Sequence, residues 1–567
     1  MTLSNFRRPA LVAIILLAAV MRFWQLPAGD VISDEALIGF RSVGYIDYLA
    51  SPDQPTTWEQ FSGPVPAWAY LSFHDHPPLT FLVQWASFKT FGVNGFALRL
   101  PFALAGILSV WLIYLLMRRL FHEAAALLAA LLCALATATV WNSRLGLQES
   151  LLIMFSLLAA YWYRRALDDH RFLPAVGLAL GLGLLTKYTI VAVALALLVH
   201  FLIYRRDYFR LRTFWIGGAV FLLLASPLII YNLMLYRATG HFDLQLSYLL
   251  GQRVGEWQSL PGKEQIGAWP ERFVSYWEHL RPMLSPPLLV LVMLGAALFV
   301  VLWFTSNDPE SSYTLLGLLT VSWAGMLLFI GPSTRFVSVL VVWLLMAAAV
   351  VATALRTPYA VLRGVLAAVF VGVVAYEGMF AVRTVIADRP SGRPGLAYSG
   401  LLRSDMERWG YQQLDRYLAG ALSGRRPQVL PNVRNDFLRR LQARVERSAL
   451  RPTPMLIVYD ANLYDLGALW TLHRRLVYEG WPVITAEQFL AAGESFWRQA
   501  GIREFIFVKI GGGMLLQAPA ERTIGGEKLA QQLDAQGVPK AAVASPRLGT
   551  AAFTIYRWGE GSGGPPK

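Results

Sequence analysis

Long, nearly unbroken apolar runs leave this chain few folds. Runs of about 17–25 apolar residues are long enough to cross a bilayer as helices, because each residue adds about 1.5 Å. Such runs occur near 9–26, 98–119, 123–141, 149–164, 173–187, 188–204, 213–235, 283–304, 313–331, 334–355 and 359–382. Charged residues make up 15% of the chain and AVILMFWYC 56%, whereas an ordinary soluble domain is about 25% charged. This composition excludes a disordered chain, a collagen and a soluble basic nucleic-acid binder. It predicts an α-helical polytopic membrane protein with about 11 transmembrane helices. The N-terminus, Arg7-Arg8-Pro9 followed by apolar residues to Leu26, has no small-residue cleavage pattern before Pro27 and reads as a retained first span.

Charge orients the spans. The formal net charge is +14, and positive residues concentrate on cytoplasmic loops of membrane proteins. With a cytoplasmic N-terminus, four basic groups fall inside: Arg118-Arg119, Arg164-Arg165, Arg205-Arg206 with Arg210 and Arg212, and Arg356 with Arg363. Three long segments then lie outside: 27–97, 236–282 and a C-terminal tail. Trp58, Trp68, Trp85, Trp257, Trp269 and Trp277 in the first two suit a membrane interface. The expected division is a membrane domain over 1–385 and an extracytoplasmic domain over 386–567. The single cysteine, Cys133, rules out an intrachain disulfide.

The tail reads as a soluble α/β domain. Pro454–Asp460, Glu504–Ile510 and Ala551–Trp558 have the pattern of buried strands, and Asp465–Tyr478, Glu487–Ala500 and Glu527–Gln536 that of amphipathic helices. The alternation predicts a small, mostly parallel sheet. Residues 389–396 read as a linker, and the closing Gly-Ser-Gly-Gly-Pro-Pro-Lys as disordered.

The first outside segment carries the candidate chemistry. Ser33-Asp34-Glu35 reads either as a helix cap with acids at the positive end of the dipole or as a general base at a membrane edge. Adjacent helical residues point about 100° apart, so one of the two acids faces a reacting centre. Further on, His74-Asp75-His76 offers metal ligands or a simple turn before Pro77-Pro78 and an interfacial helix over Leu79–Phe91. Arg99, Arg144, Glu149, Lys187 and Arg335 fall at outer membrane edges. One such charge would be ordinary snorkelling. Five on one side, with Asp34 and His76, suggest a cationic chamber suited to a phosphate-bearing lipid.

The ordered set of motifs resembles the GT-C superfamily of membrane glycosyltransferases, in particular the protein O-mannosyltransferase and lipid A aminoarabinose transferase type. The pieces are Asp34-Glu35, His76-Pro77-Pro78-Leu79, Ala97-Leu98-Arg99-Leu100-Pro101, Arg118-Arg119-Leu120-Phe121, Ser143-Arg144 through Glu149-Ser150, and Leu185-Thr186-Lys187. They span roughly residues 1–385. The resemblance implies a GT-C fold and inverting transfer of a sugar from a polyprenyl phosphate, undecaprenyl-type in a bacterial inner membrane. The acceptor would be a hydroxyl of a protein, lipid or polysaccharide on the extracytoplasmic face. It implies Asp34 as catalytic base with Glu35 beside it, and a donor-phosphate and substrate site drawn from Lys187, Arg144, Arg335, Arg99, Glu149 and His76. No cofactor is required by it, and a divalent cation at His74, Asp75 and His76 stays open. Nucleic acid is not an expected partner.

Two other readings compete. A transporter or flippase of lipid-linked sugars would show repeats and charges at the midplane. Here the charges sit at the outer edge and the first loop is long, which favours the enzyme. An oligosaccharide transferase of the same fold is the nearest enzymatic alternative.

Overall fold

The computed structural model describes residues 4–47, 66–252, 267–306, 312–354, 358–428, 443, 445–515 and 518–560. Trp58, Trp257, Arg356 and the closing seven residues lie outside the described residues.

In chain order the helices begin with α1 (Ser4–Phe23), α2 (Asp34–Gly44), α3 (Leu79–Phe91), α4 (Gly95–Leu120), α5 (Glu123–Leu135), α6 (Thr137–Arg144), α7 (Glu149–Asp168), α8 (Leu173–Thr186) and α9 (Val191–Tyr204). They continue with α10 (Arg212–Thr239), α11 (Leu244–Leu249), α12 (Trp269–Leu280), α13 (Pro286–Thr305), α14 (Ser312–Ile330), α15 (Thr334–Ala354) and α16 (Ala360–Ala381). Each of the eleven apolar runs is helical. Among the described residues, six helices are long and apolar enough to cross a membrane: α4, α10, α13, α14, α15 and α16 with its continuation to Ile386. The α5–α6 pair makes a seventh if counted as one span, and the α8 and α9 regions are apolar but shorter. The count of crossings by length and apolarity is thus lower than eleven, although the helices themselves are present. The chain is a multi-pass membrane protein.

Residues group into two compact units. The first holds the described residues of Met1–Pro27, Asp47–Thr56 and Val65–Ser404. Its helix ends follow local chemistry. Asn94 accepts from Ala97 N (2.9 Å) to start α4, and the His122 ring caps α5 at Ala125 N (3.3 Å). The crossing of α8 and α10 is closed by glycines: a Cβ on Gly177 would run into Gly217 O, and one on Gly217 would lie 2.8 Å from Leu173 O. Arg119 and Arg164 both reach Asp168, at 3.2 and 2.8 Å, so the basic ends of α4 and α7 share one end of the unit. The expected single helix over 123–141 is instead broken. Ala136 is extended (φ −56°, ψ 129°), and α5 and α6 meet at a bend of 58°.

The second unit holds the described residues of Ala28–Ile46, Thr57–Pro64 and Asp405–Lys567. It contains α2, α17 (Tyr411–Leu422), α18 (Ala486–Ala492), α19 (Gly525–Ala535) and seven strands. Two of these, β1 (Arg425–Pro427) and β2 (Arg451–Thr453), pair in parallel by themselves. The other five are β3 (Met455–Tyr459), β4 (Val483–Thr485), β5 (Glu504–Ile510), β6 (Lys540–Ala544) and β7 (Ala551–Gly559). They form one sheet in the order β4-β3-β5-β7-β6. Pairings β3–β4 and β3–β5 are parallel, whereas β5–β7 and β6–β7 are antiparallel, so the sheet is mixed rather than mostly parallel. The physical reason lies in the link from β6 to β7, which is too short for the crossover that parallel neighbours need. Both faces of the sheet are covered. Met455, Ile457, Ile506 and Val508 point into one core with Leu414 and Leu418 of α17, and Leu456, Val458, Phe505 and Phe507 into another with Leu529 and Leu533 of α19. Ile32 joins the first core, and Tyr478 OH donates to Phe40 O (2.7 Å), which ties the segment around α2 to this unit.

Candidate active site

Three clusters gather the residues singled out by sequence. The first lies where α8 stops. Lys187 is the extended residue that ends α8 (φ −161°, ψ 136°), because the chain turns through Tyr188–Ile190 before α9 begins. Its ammonium meets Glu149 Oε1 at 2.6 Å, at the first residue of α7. Glu149 is fully buried and Lys187 nearly so. The ammonium also stands 4.1 Å from the centre of the Phe336 ring, in cation–π range. Arg335, beside Phe336 in the first turn of α15, acts electrostatically on Glu149. One carboxylate is thus acted on by two cations.

Arg144 and Arg99 face the chain that leaves α1. Arg144 Nη1 donates to Met21 O, Arg22 O and Trp24 O at 3.2, 3.0 and 2.8 Å, and Nη2 to Gln25 O at 3.3 Å. Arg99 Nη1 donates to Leu26 O at 3.2 Å. These carbonyls belong to the last turn of α1 and the chain just beyond it, acceptors that guanidinium groups suit well.

The second cluster is the turn before α3. His74 Nδ1 lies 2.9 Å from Asp47 Oδ1, and His74 N donates to Asp47 Oδ2 at 2.8 Å. Asp75 Oδ2 meets His76 Nδ1 at 2.8 Å. One ligand atom from each of Asp47, His74 and Asp75 lies within 4.8 Å of the others, and all three residues are buried. Two carboxylates and an imidazole suit a divalent cation. From sequence, His74, Asp75 and His76 read as either metal ligands or a simple turn. The structure groups Asp47 with the first two and turns His76 to Asp75.

A residue that sequence reading passed over joins these two clusters. Asp243 caps α11 through Leu246 N (2.9 Å) and accepts from Tyr188 OH (2.5 Å) and Asn232 Nδ2 (3.0 Å). Leu244 N donates to His74 O (2.7 Å) and Gln245 Nε2 to Asp75 O (3.2 Å). Burial pushes the Asp243 carboxyl above its ordinary range, against the pull of these donors. A lone aspartate in a loop gives no local signal for such a role.

The third cluster belongs to the second unit. Ser33 caps α2, its hydroxyl accepting from Glu35 N (3.4 Å), so the capping reading of this motif holds. Glu35 is buried, whereas Asp34 is half-exposed in the first turn. Asp34 is close enough to Tyr464 to act on it electrostatically: burial pushes the Tyr464 phenol up, and the Asp34 charge adds to that. Of the two acids, Asp34 is the one solvent reaches.

Residues 75–231 match the family model described as dolichyl-phosphate-mannose-protein mannosyltransferase. The match takes in His76, Arg99, Arg144, Glu149 and Lys187, and leaves Asp34, Glu35 and Arg335 outside. YkcB of Bacillus subtilis, which is named as a mannosyltransferase, is 30% identical over 212 residues, covering 34% of this chain and 29% of YkcB. YycA of the same organism, named likewise, is 30% identical over 122 residues, covering 20% of this chain and 18% of YycA. The chain therefore spans less than a third of either relative in these matches. Among solved structures, ArnT from Cupriavidus metallidurans, bound to undecaprenyl phosphate, aligns over 100% of both chains with a TM-score of 0.53 and 15% identity. The oligosaccharyltransferase of Archaeoglobus fulgidus, in complex with Zn and sulfate, aligns over 88% of this chain and 67% of its own, with a TM-score of 0.50 and 13% identity. At these identities the likeness establishes the fold.

Proposed function

We propose that this membrane chain, which has the fold of the GT-C glycosyltransferases, transfers a sugar from a polyprenyl phosphate to an acceptor hydroxyl with inversion. The observation that carries the reading is the buried Lys187–Glu149 pair with Arg335 beside it, since Lys187 and Glu149 fall within the mannosyltransferase-type segment. Undecaprenyl phosphate, the lipid held by ArnT, is the carrier proposed here. The acceptor is a protein, lipid or polysaccharide.

In this mechanism Asp34 takes the proton of the acceptor hydroxyl. The hydroxyl oxygen attacks the anomeric carbon from the face opposite the phosphate, and the bond from that carbon to the phosphate oxygen breaks. The polyprenyl phosphate leaves with the electron pair, and the proton remains on Asp34. Lys187 and Arg335 stabilise the charge that develops on the leaving phosphate, so no general acid is needed. Glu149 holds the Lys187 ammonium in place. Arg144 and Arg99 support the chain leaving α1, while Glu35 packs α2 and His76 orients Asp75. Asp47, His74 and Asp75 would hold a divalent cation, which supplies further positive charge to a phosphate when bound.

The proposed location is a bacterial plasma membrane, with site and tail extracytoplasmic. The grouping of the basic ends of α4 and α7 supports one cytoplasmic side. The test uses purified protein, a panel of radiolabelled polyprenyl-phosphate sugars and native membrane extract as acceptor. Label should pass to the extract with wild type and not with Asp34→Asn. Transfer from a lipid-linked oligosaccharide alone would move the reading to oligosaccharide transfer. Translocation of lipid without transfer would replace it by a flippase.

A further inference from the structure

The bend between α5 and α6 is held by two buried charged residues that the proposed chemistry does not use. On the α5 side, Arg22 donates to Ala134 O from Nη1 (3.1 Å) and to Cys133 O from Nη2 (3.2 Å). On the α6 side, Glu377 of α16 accepts on Oε1 from both Thr137 N and Thr137 Oγ1, each at 2.7 Å. Its Oε2 accepts from Ser285 N, also at 2.7 Å, at the residue that precedes α13. A helix break exposes carbonyls on one side and amides on the other, and neither finds water inside a bilayer. A guanidinium at the carbonyl end and a carboxylate at the amide end also oppose the helix dipoles correctly. Glu377 does this for two helices at once, because the N-termini of α6 and α13 converge on its two oxygens.

The short helix so held is tied to the cationic cluster. Asn142 Nδ2 donates to Ser338 Oγ (2.7 Å), and that hydroxyl donates in turn to Arg335 O (2.5 Å). At its far end Arg144 grips the carbonyls leaving α1. On the side of α4 the helices touch closely at one point, where a Cβ on Gly106 would collide with Ser143 and come within 2.8 Å of Arg22 Nε, while Ser109, Val110, Thr139 and Asn142 line a small cavity beside it. The hydrogen bonds of Asn142 and Ser338 are thus a direct link from α6 to the turn that carries Arg335.

We propose that Glu377 is a positioning residue, which sets α6 from the rear and, through Asn142 and Ser338, the Arg335 turn that opens α15. The binding arm of its test rests on the phosphate reading of Arg335, whereas the exchange arm does not.

The experiment compares full-length wild type with Glu377→Gln, Arg335→Gln and the double variant in nanodiscs. It reads the melting temperature, amide hydrogen exchange, and affinity for undecaprenyl phosphate. Glu377→Gln should speed exchange in α6 and the first turn of α15 by about 10-fold, without comparable change in α10. Each single variant should weaken undecaprenyl phosphate binding about 10-fold, and the double variant no more than either alone, because both act through one group. Unchanged exchange in α6 and α15 overturns the proposal, as does an additive loss of about 100-fold in the double variant. If wild type itself does not bind undecaprenyl phosphate, the proposed donor is wrong, and the exchange result alone decides the role of Glu377. Should Glu377→Gln fail to fold, Thr137→Val takes its place. It removes one of the donors to Glu377 and should raise exchange in the same two segments about 3-fold, and no change there overturns the proposal.

Discussion

Lys187 Nζ lies 2.6 Å from Glu149 Oε1, joining the break after α8 to the first residue of α7 inside the membrane unit. Neither charge is tolerable alone at such a place, since an isolated ion in a poorly polar medium loses most of its solvation. Together they keep an ammonium fixed against the Phe336 ring, with Arg335 at hand. In the proposed mechanism this prearranged cluster meets the charge on the leaving phosphate without having to reorganise.

Removing one partner should be worse for stability than removing both. Lys187→Met or Glu149→Leu alone leaves a buried charge without its 2.6 Å partner and should cost about 3–5 kcal/mol, whereas the double variant should recover much of that. Thermal melting in one detergent, read for all four proteins, checks this order. Sugar transfer should be absent in every variant that lacks Lys187, including the restabilised double.

Asp34 and Glu35 should separate activity from stability. Asp34 is half-exposed and Glu35 buried. Asp34→Asn should lower the transfer rate by about 10²–10⁴ with an unchanged melting temperature, the range for loss of a general base. Glu35→Gln should act mainly on stability, by about 1–3 kcal/mol. Equal transfer by Asp34→Asn and wild type would remove Asp34 from the mechanism.

Asp30 supplies a pH signature within the second unit. Its Oδ2 accepts from Gly410 N and its Oδ1 from Gln412 N, both at 2.9 Å, where α17 begins. Burial nevertheless pushes its carboxyl above the ordinary range. A raised folded-state value means that the stability it contributes is full below the unfolded value near 4 and is lost as pH rises through the folded value. The melting difference between wild type and Asp30→Asn should therefore favour wild type most at about pH 4 and shrink toward pH 7. A difference that grows with pH would contradict this.

The crossing of α8 and α10 should not accept side chains. Gly177→Val would drive its Cβ into Gly217 O and should cost at least about 1–3 kcal/mol. Gly218, with nothing near its would-be Cβ, provides the control: Gly218→Ala should be neutral or stabilise by about 0.5–1 kcal/mol. Thermal melting of both variants beside wild type distinguishes them.

Much of this architecture was legible beforehand. Leu79–Phe91 forms a helix with the expected bounds, Glu504–Ile510 a strand with the expected bounds, and the interruption at Lys187 occurs where two apolar runs meet. Glu377 was within reach as well, being an acid inside the apolar run 359–382, where a charge is costly enough to need a reason. Asp47, Asp243 and Asp30 were not, because single aspartates in loops look alike until their partners are known.

What local pattern settles is the set of elements: apolar runs must become helices in lipid, and alternating apolar stretches must become strands in a covered sheet. What it leaves open is every choice made by a distant partner. The bend at Ala136 depends on Glu377, 240 positions from the Thr137 amide it accepts. The attachment of Asp34 and its helix to the α/β unit depends on Tyr478, 438 positions from Phe40. The pairing of Glu149 with Lys187 likewise joins two helix ends across 38 positions. Hydrophobic periodicity is a property of neighbours along the chain, whereas the satisfaction of a buried charge or a broken helix end is a property of neighbours in space, and only the folded chain brings those together.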